Sequence, residues 1–178
     1  MTRGSGLVAA LALALALAAE HAVQVTPHVM ADGRRVFASL AAPAAYTADM
    51  QEAVRTGLPM TLTFIVDLRR ASTLWFDRTL ATTTVASSIH FDNLTRVYLV
   101  SKLREGRVTW SQQTDGEREM RAWATEFDGV PLTASEPLEP NTDYYLRVRL
   151  RATPRRSFPW WPWGRDDASG RADFTFIR

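Results

Sequence analysis

An antiparallel β-sandwich of eight or nine strands with two short helices, mainly β in the α+β manner, is predicted by three observations. From Tyr144 to Arg151 the chain alternates strictly. Tyr144, Leu146, Val148 and Leu150 point one way, and Tyr145, Arg147, Arg149 and Arg151 the other. A period of two is the mark of a half-buried strand, here with an apolar face on a core and a basic face toward water. Met60–Arg69 repeats the pattern, with Met60, Leu62, Phe64, Val66 and Leu68 on one face. Finally, Asp32-Gly33, Asp92-Asn93 and Glu105-Gly106 are turn-forming pairs between β-forming runs, as hairpins require.

At 178 residues the chain has the length of one domain plus a targeting segment. Arg3, the apolar run Leu7–Leu17 and the small-residue site Ala16-Leu17-Ala18 read as an export signal over residues 1–18. The mature domain is then expected over residues 19–178. The apolar run is shorter than the roughly 20 residues that span a bilayer, though an uncleaved inner-membrane anchor is the alternative. An exported chain without cysteine points to a bacterial periplasmic or secreted protein. The same lack of cysteine excludes thiol catalysis, disulfides and Cys-based zinc or iron–sulfur sites. A net charge of +2 argues against a dedicated nucleic-acid partner.

Within the mature chain, Val23–Val29 and Arg35–Leu40 form the first predicted hairpin. Thr47 caps a short helix that sets Met50, Ala53 and Val54 on one face and stops at Gly57. After Met60–Arg69, a return strand is predicted over Leu74–Leu80. The Thr-rich run Ala81–Thr84 either continues this strand or bends away from the sheet, and then comes a meander of Val85–Asp92, Arg96–Leu103 and Arg107–Ser111. Thr114-x-x-Glu117 reads as a capping box for a second helix, with Met120, Trp123 and Phe127 at helical spacing and Gly129 as its stop. Val130–Pro140 reads as a Pro-punctuated loop, Pro154–Gly170 as another, and Asp173–Ile177 as a last strand.

The lead-in Leu138-x-Pro140-x-Thr142-x-Tyr144 resembles the tyrosine corner of fibronectin type III-like sandwiches. That resemblance implies a buried Tyr144 whose hydroxyl bonds backbone in the Leu138–Asn141 region. Four further landmarks are Thr56-Gly57-Leu58-Pro59, Leu62-Thr63-Phe64, Leu74-Trp75-Phe76-Asp77 and Leu94-Thr95-x-x-Tyr98-x-Val100. With the tyrosine-bearing strand and the aromatic tail, they resemble a bacterial family defined as domain of unknown function 4390. The resemblance covers essentially the whole mature chain. It implies an exported or membrane-proximal protein with no established activity, and a membrane signalling protein as its partner.

Chemistry-bearing constellations are sparse. His90 and Asp92 lie two apart on one strand, the spacing of two metal ligands or an acid/base pair, but no second histidine-rich segment completes a coordination sphere. Asp67 and Asp77 fall near facing strands, where paired carboxylates serve general acid/base chemistry; the ordinary reading is exposed carboxylates opposite Arg69 or Arg78. The sequence has no Gly-x-Ser-x-Gly elbow, P-loop, dinucleotide fingerprint or His-Glu-x-x-His. No cofactor, metal site or catalytic residue is assigned.

The outstanding cluster joins Arg147, Arg149 and Arg151 with Arg155, Arg156, Trp160, Trp161 and Trp163. Arginine suits phosphate or carboxylate, and tryptophan suits a water–lipid boundary or sugar stacking. The structural alternative folds the tryptophans over an open sandwich edge and pairs the arginines with Asp166, Asp167 and Glu119. The expectation is a non-catalytic interaction module at the cell envelope, engaging a membrane or envelope protein or an anionic membrane surface. An envelope hydrolase acting through the carboxylates and His90, and a carbohydrate-binding sandwich using the tryptophans, are the alternatives.

Overall fold

The structure is a computed structural model that describes residues 23–29, 34–72, 76–154 and 168–177. Among them are nine strands: β1 (Gln24–Val29), β2 (Arg35–Ala41), β3 (Met60–Arg70), β4 (Arg78–Asp92), β5 (Val97–Arg104), β6 (Arg107–Thr114), β7 (Glu126–Thr133), β8 (Thr142–Pro154) and β9 (Ala168–Phe176). Two helices, α1 (Ala48–Arg55) and α2 (Glu117–Thr125), interrupt them. The strands form a three-stranded sheet, β1-β2-β7, and a six-stranded sheet, β6-β5-β4-β3-β8-β9, antiparallel throughout. This is the mainly β, open sandwich that the alternation predicts.

The two sheets share one core. Leu62, Phe64 and Val66 of β3 and Leu146, Val148 and Leu150 of β8 line the inner face of the large sheet. Val36, Ala38 and Leu40 of β2 and Phe127, Val130 and Leu132 of β7 belong to the same buried cluster. Phe64 and Phe127 meet edge-on across it, with ring centroids 5.2 Å apart. Each such ring removes a large apolar area from water, which is the main source of stability in a two-layer domain.

The first helix forms as its sequence dictates. Thr47 Oγ1 accepts from Met50 N at 3.4 Å, and Met50, Ala53 and Val54 are its buried face. Leu58 N donates to Ala53 O and Gly57 N to Val54 O, at 3.1 and 2.9 Å, which is a Schellman closure. Gly57 supplies the positive φ of 83° that the closure needs. At the β5–β6 turn Glu105 and Gly106 both have positive φ, as a two-residue type I′ hairpin requires.

Four sequence expectations need correction. The strand predicted at Leu74–Leu80 is not separate. β4 runs unbroken from Arg78 to Asp92 through the Thr-rich run, Phe76 ahead of it is 96% exposed, and residues 73–75 lie outside the described residues. Second, α2 starts at Glu117, too late for Thr114 to be its cap. Thr114 Oγ1 instead accepts from Gly116 N (3.0 Å) and donates to Glu119 Oε2 (2.5 Å), while Glu117 accepts from Gln51 (2.5 Å) and Arg55 (2.8 Å) of α1. Third, the helix ends at Thr125 rather than Gly129, because Phe127 is drawn into the core opposite Phe64. Fourth, the segment from Val130 is not loop from its start. Residues 126–133 form β7 on β2, and Gly129, with φ 60°, sits where the register shifts between Ala38 and Leu40. The periods of two and 3.6 overlap over so short a run, so Phe127 fits either reading until a partner strand selects one.

Residues 1–18, and with them the expected export signal, lie outside the described residues, as do the Asp32-Gly33 turn and residues 155–167. β1 and β2 nonetheless pair as that turn predicts, with Val29 opposite Val36.

Candidate functional site

Tyr144 and Tyr145 open the strand from which the site is built. Tyr144 faces inward and is 2% exposed; its hydroxyl accepts from Glu139 N at 2.8 Å. Arg70 grips the carboxylate of the same Glu139 through two bonds of 2.8 and 2.7 Å, so the corner is held from both sides. The bond falls within the Leu138–Asn141 stretch that the sequence designates, with the hydroxyl as acceptor.

Tyr145 faces outward, yet it is only 3% exposed, against the expectation of a water-facing residue. Two guanidinium groups account for this. Arg69 lies directly across on β3, 5.8 Å from the ring centroid, and Arg171 of β9 stacks on the ring at 3.8 Å. Long arginine stems cover apolar surface while their heads stay wet, and the ring's quadrupole attracts the cation. The Tyr145 hydroxyl donates to Asp77 Oδ2 at 2.6 Å, and Ser72 N donates to Asp77 Oδ1 at 3.1 Å. These bonds, the tyrosine's first, hold the Asp77 carboxyl below the ordinary carboxylate value. Burial, and then the bond to Asp77, push the Tyr145 phenol up.

The arginines follow along the same face. Arg147 lies between Asp67 on β3 and Arg171 on β9, and Arg149 between Ile65 and Ser169. Asp67 is 8% exposed and does not pair with the arginine directly across from it. It accepts from Arg149 Nη2 (3.0 Å) and from Thr82 Oγ1 (2.8 Å). Arg171 is held by Asp173 at 2.6 Å. Arg147 is exposed and has no carboxylate partner among the described residues, although it stands between one acidic and one basic neighbour. Like charges directly opposite on a sheet are destabilising, a cost that Asp173 on Arg171 and Asp67 across from Arg147 reduce here.

Other predicted constellations come apart. Asp67 is committed to Arg149 and Asp77 to Tyr145, so the two carboxylates do not form a pair. The ordinary reading of Asp67 as an exposed carboxylate opposite Arg69 fails as well, since it is buried beneath Arg149. Asp92 accepts from Leu94 N (2.8 Å) and Thr95 N (3.3 Å) and closes the β4–β5 turn. Leu94 N first, and then Thr95, hold its carboxyl low. His90 is exposed at the rim of an outer-face cleft of about 460 Å³ whose apolar side is Leu99, Leu103 and Val108. It lies eight residues along β4 from Thr82, the partner of Asp67, or about 26 Å at the rise of a strand. That distance keeps His90 and Asp67 out of a single catalytic site. Among the described residues no group of three or more metal-ligating side chains occurs. Arg155, Arg156, Trp160, Trp161 and Trp163 lie outside the described residues, as do Asp166 and Asp167, while Glu119 is engaged with Thr114.

Sequence reasoning found the arginine row and, separately, Asp67, Asp77 and Arg69, but missed Arg171 and the bonds that join these residues into one face. Asp67 and Arg69 were legible as outward-facing positions of β3, but their partners depend on register.

A model of the family described as domain of unknown function (DUF4390) matches residues 19–157, which include Tyr144 and the arginines of β8. No curated protein and no solved structure matches the chain.

Proposed function

The chain belongs to the DUF4390 family, and from that premise we propose that it is an exported bacterial protein serving as a non-catalytic interaction module at the cell envelope. It docks through the outer face of β3, β8 and β9 on an anionic membrane surface, where a membrane signalling protein is its partner. The observation that carries this reading is Arg147, exposed in the middle of an arginine row, its neighbouring carboxylate claimed by Arg149. Around it the face sets Arg69, Arg147, Arg149, Arg151 and Arg171 against Asp67, Asp77 and Asp173. The balance is positive, and Arg155 and Arg156 follow directly in sequence. Near an anionic bilayer each basic side chain contributes roughly 1 kcal/mol, so several together produce measurable binding even on a near-neutral protein.

Co-sedimentation with phosphatidylglycerol vesicles and with neutral phosphatidylcholine vesicles tests the proposal. Binding is expected to the anionic vesicles only, weakening as salt screens the charges. Arg147→Glu, a change of two charge units, should weaken it more than tenfold. Failure to bind anionic vesicles at low ionic strength, or equal binding by Arg147→Glu, would refute the docking face.

A further inference from the structure

The outermost strand of a sheet presents unpaired N–H and C=O groups, and it recruits another strand unless something prevents this. The described residues contain four such edges: β1 and β7 on the small sheet, β6 and β9 on the large one. Three carry a blocking device. β1 has Pro27, which cannot donate to a ladder. β7 has Pro131, the irregularity at Gly129, and the charges of Glu126 and Asp128. β9 carries Arg171 and Asp173, and the chain just before β1 lies across it. There Val23 N donates to Ser169 O at 3.3 Å, and a Cβ on Gly170 would overlap the Val23 carbonyl oxygen.

β6 is different. From Val108 to Thr114 it has no charge, proline or glycine, and β-branched and aromatic residues recur along it. Its one irregularity, at Thr109, lies near the hairpin turn and leaves Trp110–Thr114 regular. Val108, at the outer-face cleft, is 62% exposed. Among the described residues β6 is thus the least guarded of the four edges.

We infer that β6 is a dimerisation edge on which a second copy of this chain pairs antiparallel, joining the two large sheets into one. Charge favours a copy of the same chain over a foreign strand. With the two-fold axis at Ser111, Trp110 stands opposite Gln112 of the second copy, and no charged residue faces a like charge. The same axis brings Arg107, exposed at one end of β6, to Asp115 of the second copy, exposed just past the other end. The contact is isologous, so it closes on itself and does not propagate into a fibre.

Sedimentation equilibrium of the mature chain over a wide concentration range should show a monomer–dimer equilibrium. Amide exchange in Trp110–Thr114 should slow as the dimer forms. Ser111→Lys places two like charges across the axis and should leave a monomer with unchanged circular dichroism and melting temperature. Arg107→Asp should weaken the dimer, and adding Asp115→Arg should restore it, which a merely structural role for either residue does not predict. A monomer at every concentration overturns the inference, as does a dimer indifferent to Ser111→Lys. Protection of β6 amides only when another envelope protein is added would assign the edge to a foreign strand and overturn self-pairing.

Discussion

Tyr144 and Tyr145 are adjacent, buried to 2% and 3% exposure, and held by opposite kinds of chemistry. Tyr144 stands among apolar side chains, stacked on Phe174 at 5.9 Å, and meets one backbone donor. Tyr145 stands on the polar side of the same strand, walled by two guanidiniums and tied to a carboxylate. The inner face of β8 is thus built from water exclusion, which needs only apolar bulk and tolerates imprecise partners. The outer face is built from specific charge and hydrogen-bond pairs, each of which fails if its partner is a residue out of place. A face of the second kind stays chemically legible to an outside ligand, and a face of the first kind does not.

The contrast predicts unequal mutational costs. On the inner side Phe64→Ala should cost the most, about 3–5 kcal/mol, because it opens a cavity beneath Phe127; urea unfolding measures it. A cost near that of an exposed residue would mean that the sheets are not packed through this contact. On the outer side Asp67→Ala should cost about 2 kcal/mol, since it strands the partly buried Arg149 guanidinium and the Thr82 hydroxyl. Removing Arg149 as well should recover part of that loss in a double-mutant cycle, and strict additivity would show that the pair is not coupled.

Back on the inner side, Tyr144→Phe should cost about 1 kcal/mol by leaving the Glu139 N–H without its acceptor. Tyr145→Phe should have the smallest effect, present at neutral pH and vanishing in acid. The Asp77 carboxyl is held below its unfolded-state value chiefly by the Tyr145 hydroxyl. Its contribution is therefore present above the ordinary carboxylate pKa of about 4 and is lost as pH falls through the lower folded value. Thermal melts between neutral pH and pH 2 should show a shallower acid decline for Tyr145→Phe than for the parent protein. Identical acid limbs would show that the hydroxyl–carboxylate bond does not matter in solution.

Much of the inner face was legible in the order of residues. Alternation in Met60–Arg69 and Tyr144–Arg151 sorted the inner from the outer face, since period-two patterning is a property of consecutive residues and needs no partner. The same locality made the Thr47 cap, the Gly57 stop, the Glu105-Gly106 turn and the tyrosine corner readable, for each is closed within a few residues. β7 was not legible: Phe127, Val130 and Leu132 become a strand only because β2 offers a ladder and Phe64 a packing surface.

The candidate site divides in the same way. The sequence by itself determined that Arg147, Arg149 and Arg151 share one outward face. Only the tertiary structure decided which of them holds a carboxylate. Arg149 reaches an acceptor 82 residues away in the chain, and the register of β3 on β8 brings the two together. That register is fixed by the apolar residues on the opposite face, because a slip of one position would turn Leu62, Phe64 and Val66 out of the core. The charges on the outer face are therefore placed by a hydrophobic choice made on the inner one, and no local reading of the arginines reveals that Arg147 is left without a carboxylate among the described residues.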